Sequence, residues 1–321
     1  MLKYHIIVFG CQFNKAEGEK ISQLFSQNGY QKTDNASKAD LIVILACAVR
    51  QKAVDKIKNK VLALKHQNKK AKIVLSGCVL QSDKKWFEQQ GVIFKKFQNL
   101  RSFLSPTGLV IIGEGCNNFC TYCVVPYTRG REKYRSQKAV ISEVKKLLKK
   151  GVKEITLVAQ NVNSYPHFPA LLQKINKIPG DFRVRFLTNH PKDVSDELIK
   201  TMAQCQKIEK YLHLPFQAGD NAILKKMNRH YTRQQYLKLV SKIKKAIPDI
   251  KLSTDIIVGF PGETKKQFEK TVEVVKKVGF SQIFVAKYSP RQGTAAYYLK
   301  DNVPEQEKKR RENELRKIMA K

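Results

Sequence analysis

The chain has 321 residues, enough for two domains of ordinary size, and 42% of them are hydrophobic, enough for a substantial core. Lys plus Arg number 61 against 27 acidic residues, and the formal net charge of +34 makes a polyanion, nucleic acid first, the expected partner. No run of 18 apolar residues exists to span a membrane, no basic amphipathic anchor helix stands out, and MLKYHIIVFGCQFN at the start lacks a signal-peptide pattern, so a cytoplasmic protein without a membrane partner is expected.

In chain order, the first hundred residues alternate strand and helix signals. HIIVFG (5–10), LIVILA (41–46) and KIVLSG (72–77) are short apolar runs that predict strands. Residues 15–28 and 49–66 have helical spacing. The alternation predicts βαβ units and a small parallel sheet. Cys11, Cys47 and Cys78 each fall just past one of these strands. Ligands of open α/β sheets lie at the carboxyl ends of strands, so three thiols could converge there. The alternative is that small cysteines are buried at these positions by chance.

Residues 98–108 read as a linker. The βα rhythm then resumes, with strands expected at 109–113, 154–160, 182–188, 210–216, 251–260 and 280–289. Helical patterns cover 137–150, 194–204, 232–247 and 264–278. Six strands with intervening helices predict a parallel α/β sheet that is curved or partly closed; a full eight-stranded barrel needs more chain. The tail PEQEKKRRENELRKIMAK predicts a charged helix within 301–321.

There are seven cysteines, an odd number that argues against a disulfide framework in a chain without a leader. Cys116, Cys120 and Cys123 lie within EGCNNFCTYCVVPYTRG (114–130). A closed zinc site needs a fourth ligand, and no histidine is close, the nearest downstream being His167. Three thiolates on a four-iron cluster instead leave one iron without a protein ligand, an open position where chemistry can occur.

CNNFCTYC (116–123) matches the CxxxCxxC pattern of the radical S-adenosylmethionine (SAM) enzymes, with Tyr122 also fitting. The chain more narrowly resembles the methylthiotransferases. Their three separated cysteines appear in GCQFN (10–14), LACAVR (45–50) and SGCVLQ (76–81), and their cluster segment in 114–135. AQNVNSY (159–165), HLPFQAGDNAILKKMNRHYTR (213–233), STDIIVGFPGET (253–264) and YSPRQGTAA (288–296) also match. The resemblance covers about residues 1–320.

The resemblance implies an N-terminal domain over 1–100, a partial (β/α)6-type radical SAM barrel over 109–300, and a terminal helix over 301–321. It implies two 4Fe-4S clusters and SAM. Cys116, Cys120 and Cys123 would hold the SAM-cleaving cluster. Cys11, Cys47 and Cys78 would hold an auxiliary cluster that carries the inserted sulfur. Cys205 matches no ligand block and is expected to be structural. SAM contacts are expected at the strand ends, from Gln160, Asn161 and Gln217, and from the backbone edges of Ile257, Val258 and Gly259. Arg129, Arg131 and Arg135 follow the cluster loop and could hold a carboxylate or an RNA phosphate, or form a solvated basic face.

AQNVNSY points to the branch that adds a methylthio group at carbon 2 of isopentenylated adenosine next to the tRNA anticodon. The partner is then the anticodon stem-loop, with an electron donor such as flavodoxin or ferredoxin, and a monomer is expected. The alternatives are the branches acting on threonylcarbamoyl-adenosine or on a ribosomal-protein aspartate, and a non-catalytic iron–sulfur RNA-binding protein. Two departures from the family follow. Leu45 and Ala46 replace polar residues before Cys47, which should remove hydrogen bonds to cluster sulfur. The family's C-terminal RNA-binding barrel is not expected after the terminal helix, so RNA affinity would rest on the basic core surface.

Overall fold

The structure, a computed structural model, describes residues 1–97 and 100–319. Gln98 and Asn99, where the expected linker begins, and Ala320 and Lys321, at the end of the expected terminal helix, lie outside the described residues. The first unit runs β1 (Lys3–Val8), α1 (Gln12–Gln27), β2 (Gln31–Lys32), β3 (Leu41–Ala46), α2 (Gln51–Gln67), β4 (Lys72–Gly77), α3 (Gln81–Gln89) and β5 (Ile93–Phe94). Its strands pair in parallel in the order β2-β1-β3-β4-β5.

LIVILA becomes the central strand β3 because both of its faces are covered. Ile42, Ile44 and Ala46 pack with Ile57, Val61 and Leu64 of α2 and Phe87 of α3. Val43 and Leu45 pack on the other face with Ile21 of α1. The pleat thus sends Leu45, fully buried, into the core under α1. The two-residue strands β2 and β5, and α3 with only Asp83 and Phe87 buried, were too short or too polar for periodicity to register.

The second unit comprises β6 (Leu109–Ile111), β7 (Gly113–Glu114), α4 (Val125–Arg129), β8 (Lys133–Tyr134), α5 (Gln137–Lys149), β9 (Glu154–Val158), α6 (Phe168–Asn176), β10 (Arg183–Phe186), α7 (Asp196–Gln204), β11 (Tyr211–His213), α8 (Asn221–Lys226), α9 (Arg233–Ala246), β12 (Lys251–Val258), α10 (Lys265–Val278), β13 (Gln282–Lys287) and α11 (Glu305–Met319). Two parallel sheets, β6-β9-β10 and β11-β12-β13, are joined by a bridge from Val184 to Ile208, just ahead of β11. Six strands therefore form one open arc, wrapped by helices whose apolar faces share a single core. The helices are set by ordinary signals. In α9 and α10 a threonine cap and a glutamine three residues on complete capping boxes, Thr232 with Gln235 and Thr264 with Gln267. The charged helix α11 does not stand free: Leu315 is fully buried, and Arg311 pairs with buried Glu263 at 2.8 Å.

The two units are locked together by apolar and ionic contacts. Ala16 of α1 packs against Leu109 and Val158. Lys20 of α1 pairs with Glu143 of α5 at 2.6 Å, and Glu143 also accepts from Arg135 at 2.5 Å. Arg291 reaches back to donate to the Ala48 carbonyl at 2.9 Å and Gln51 Oε1 at 3.1 Å, and it pairs with Asp83. Its side chain is only 2% exposed. Arg291→Ala leaves the buried Asp83 carboxylate unpaired and is expected to cost about 3–5 kcal/mol, read as a lowered midpoint in urea unfolding. An unchanged midpoint would mean that the pair contributes nothing to holding the units together.

Candidate active site

Three adjacent strands, β1, β3 and β4, end side by side, and each is followed by a cysteine. Cys11 caps α1, Cys47 follows β3, and Cys78 follows β4 with its N–H on the Ala46 carbonyl at 2.9 Å. Asn14 ties the strand ends together: its Nδ2 donates to Phe9 O at 2.7 Å and to Ala46 O at 2.8 Å. Gly10 has φ +100°, and a Cβ there would sit 2.6 Å from Cys47 Cβ and 2.9 Å from its Sγ. Only glycine lets β1 and Cys47 approach this closely. Burial pushes the Cys47 and Cys78 thiols above their ordinary pKa, and the neighbouring cysteines add to it, Cys78 and Cys11 at Cys47 and Cys11 at Cys78.

The second triad is carried by the loop between β7 and α4. Cys116 N–H bonds Gly130 O at 3.1 Å, Cys123 N–H bonds Cys120 O at 2.9 Å, and Thr121 N–H bonds Met227 O at 3.1 Å. Asn228 Nδ2 fastens the loop through Asn118 O at 3.2 Å and Phe119 O at 3.0 Å. Asn118 Nδ2 lies 3.5 Å from Cys116 Sγ, and the buried Arg229 donates from Nη1 to Cys120 Sγ at 3.4 Å. Burial, reinforced by Cys120, pushes the Cys123 thiol up to about 12. Cys78 also acts on Cys123, and Val124 packs against Cys78, so the two triads face one another across the unit boundary.

All seven cysteines are free thiols. Among the described residues no three Cys, His, Asp or Glu groups are close enough to share one metal ion. Neither triad is therefore a preformed zinc site. The donor set of each triad, three cysteine sulfurs, would fit a multi-iron cluster. Thiols holding such a cluster would bind as thiolates and release their protons to solvent.

Beside the second triad, at the ends of β9, β10 and β11, four polar atoms have no partner: Asn161 Oδ1, Asn189 Oδ1, His190 Nε2 and Gln217 Oε1. All four residues are more than nine-tenths buried. Unpaired polar atoms are costly in an interior and mark a place where a ligand completes the bonding. Three acceptors and a donor fit a molecule bearing an amine, hydroxyls and a carboxylate, as SAM does. Asn161 Nδ2 is fixed by Asp193 at 2.8 Å. Gln217 has φ +67° and bridges β12 through its backbone, with N–H on Asp255 O and carbonyl on Ile257 N–H, both at 3.0 Å.

The other residues expected to contact SAM have these partners within the fold. Gln160 Oε1 accepts from Gly115 N–H at 2.6 Å, so it braces the cysteine loop. The N–H of Ile257 is taken by Gln217, the carbonyl of Val258 by Tyr288 N–H at 2.8 Å, and the N–H of Gly259 by Glu263 at 2.6 Å. A Cβ on Gly259 would lie 2.3 Å from Lys308 Cγ, so its open side receives the stem of a lysine from α11. These backbone groups are satisfied within the fold. The Ile257 side chain packs, like Tyr122 and Tyr231, against the buried cluster around Ile223, Met227 and Phe260. Of the three arginines after the loop, Arg129 and Arg135 are buried on carboxylates, and Arg131 lies over the Phe119 ring at 4.2 Å. Cys205 is buried in the barrel core, away from both triads.

Asn189, His190 and Arg229 carry site geometry that had no role at the level of sequence. Asn163 grips His190 from both sides, donating to its carbonyl at 3.0 Å and accepting from its N–H at 2.9 Å. Burial, then Arg229, Lys192 and His230, push the His190 pKa from 6.5 down to about 2. The ring is neutral when folded. Lys192 N–H points at its Nδ1 at 3.3 Å, which puts the proton on Nε2. The unfolded chain therefore binds a proton that the folded one refuses. Stability is intact above about 6.5 and falls as pH drops toward about 2, by up to about 1.4 kcal/mol per pH unit. His190→Gln is expected to flatten this part of the urea-unfolding profile between about pH 6 and 4. An unaltered slope would show that His190 charges freely in the folded protein.

An open six-stranded α/β arc with a CxxxCxxC loop at its mouth defines the class as radical SAM, and the model described as "Radical SAM superfamily" matches residues 110–275. A second model, "Uncharacterized protein family UPF0004", matches residues 3–96. The protein from Clostridium novyi (strain NT) named tRNA-2-methylthio-N(6)-dimethylallyladenosine synthase is 40% identical, over 98% of this chain and 80% of its own length. The enzyme of the same name from Acetivibrio thermocellus is 42% identical, over 96% of this chain and 74% of its own. Among solved structures, the radical SAM methyltransferase TsrM from Kitasatospora setae shares the fold with a TM-score of 0.64 at 14% identity, covering 92% of this chain and 77% of that one. The chain belongs to the radical SAM methylthiotransferase family.

Proposed function

We propose that the protein is a tRNA methylthiotransferase that inserts a methylthio group at carbon 2 of isopentenylated adenosine next to the anticodon. The observation that carries this reading is 40% identity, over 98% of the chain, to enzymes named for that product. The geometry supports it, since two cysteine triads, Cys11/Cys47/Cys78 and Cys116/Cys120/Cys123, meet across one boundary beside a polar recess. In the proposal each triad holds a 4Fe-4S cluster. When bound, one cluster supplies the electron that cleaves SAM to the hydrogen-abstracting radical, and the other supplies the sulfur.

The chain's own share is positioning. Gln160, Asn118 and Asn228 hold the Cys116–Cys123 loop. Asn161, Asn189, His190 and Gln217 present unpaired polar atoms to SAM or to the base. A flipped or single-stranded adenosine suits such a recess, because a stacked base is out of reach. The net charge of +34 favours binding of the anticodon stem-loop. No helix among the described residues is long and apolar enough to cross a membrane, in keeping with a cytoplasmic site of action. We take the working unit to be a monomer reduced by a flavodoxin or ferredoxin.

The test is anaerobic reconstitution with reductant, SAM and isopentenylated tRNA, followed by mass spectrometry of the nucleosides. Methylthio-adenosine is the expected product. Product only on threonylcarbamoyl-adenosine tRNA, or only on a ribosomal peptide, would reassign the substrate. No 5′-deoxyadenosine from the reduced protein with SAM would make it a non-catalytic iron–sulfur RNA-binding protein.

A further inference from the structure

Arg129 ends α4, the helix that begins two residues after Cys123, yet its guanidinium lies in the other unit. Nε donates to Cys78 Sγ at 3.1 Å. Nη1 donates to Glu17 Oε1 at 3.1 Å and Glu114 Oε1 at 3.2 Å. Nη2 donates to Asn14 Oδ1 at 2.8 Å and Glu17 Oε2 at 2.7 Å. All five donors of the fork are engaged, and the group lies over the Phe13 ring at 4.3 Å. A domain clamp needs only the carboxylates. The Nε contact adds a fixed, charged donor aimed at a ligand sulfur, and it is delivered by the segment that carries the opposite triad.

We propose that Arg129 is a positioning residue that sets the reduction potential of the cluster on Cys11, Cys47 and Cys78, through its hydrogen bond to Cys78 Sγ. This rests on the reading that those three cysteines hold a cluster. Reduction adds negative charge to the cluster and its thiolates. A buried cationic donor on one sulfur stabilises the reduced form and raises the potential. Lysine keeps the charge but cannot satisfy Cys78, Asn14 and two carboxylates from one ammonium. Glu17 provides the contrast, because it shares the guanidinium but does not touch sulfur. Its neutralisation weakens the clamp and leaves the donor on Cys78.

The experiment uses the full chain with Cys116, Cys120 and Cys123 replaced by Ala, so that only this cluster reports. Arg129→Lys and Glu17→Gln are compared in that background by iron content, thermal midpoint and potentiometric titration followed by electron paramagnetic resonance. Arg129→Lys should keep its iron, shift the potential downward and alter the signal of the reduced cluster. Glu17→Gln should lower the thermal midpoint and leave the potential unchanged or slightly raised, because it removes a negative charge. An unmoved potential in Arg129→Lys would overturn the proposal. So would downward shifts of equal size in both variants, or loss of iron from both, since either would reduce Arg129 to a clamp. If the background protein holds no cluster at all, the underlying ligand assignment fails, and this proposal with it.

Discussion

Cys120→Ala should abolish 5′-deoxyadenosine formation from SAM and with it all methylthio product. Cys120 sits midway in the loop, buried, with Arg229 on its sulfur and a turn fixed by its own carbonyl to Cys123 N–H. Without its thiolate the open-iron cluster has two ligands and no stable seat. Replacing all three loop cysteines should lower the iron of reconstituted protein from roughly eight atoms to roughly four, on the ligand logic of two four-iron clusters. The backbone bonds that shape the loop do not involve sulfur, so the fold should persist, and circular dichroism checks this. Cys205→Ala is the control: buried in the barrel core, it should change neither iron nor turnover. Persistent SAM cleavage in Cys120→Ala would remove the loop from the chemistry.

Cys47→Ala separates the two triads. It lies beside Gly10 at the end of β3, and its loss should empty the N-terminal site while leaving the loop intact. The variant should still release 5′-deoxyadenosine and form no methylthio-adenosine. The two products are read by chromatography and nucleoside mass spectrometry from one reaction. Normal methylthio product from Cys47→Ala would mean that sulfur does not come through this site, and the proposed function would not survive it.

Strands β3 and β4 were legible because they are apolar runs bounded by polar turns or glycine, and their cysteines fall where parallel strands end. The interior arginines were not legible. In a chain with 61 basic residues, nothing local distinguishes Arg229 and Arg291 from surface charges, and the place of Arg129 and Arg135 after the cluster loop left a solvated face equally open. Their partners are far away in sequence, such as Glu17 for Arg129 and Asp83 for Arg291. Gln160 lies at the expected strand end, and its oxygen accepts from the backbone N–H of Gly115, a contact that no spacing rule reveals.

The ionic contacts between the units also bear on how the protein unfolds. Lys20 against Glu143, Arg129 against Glu17, and Arg291 against Asp83 each place one charge in either half, with almost no water around them. Separating the halves would strand all of these charges at once, and that cost rises in a single step. The halves should therefore melt together, in one cooperative transition, although each has its own sheet. For the same reason a fragment cut within 98–108 would not behave as a free-standing module, because its newly bared face would carry Lys20, Glu17 and Asp83 without their counter-charges.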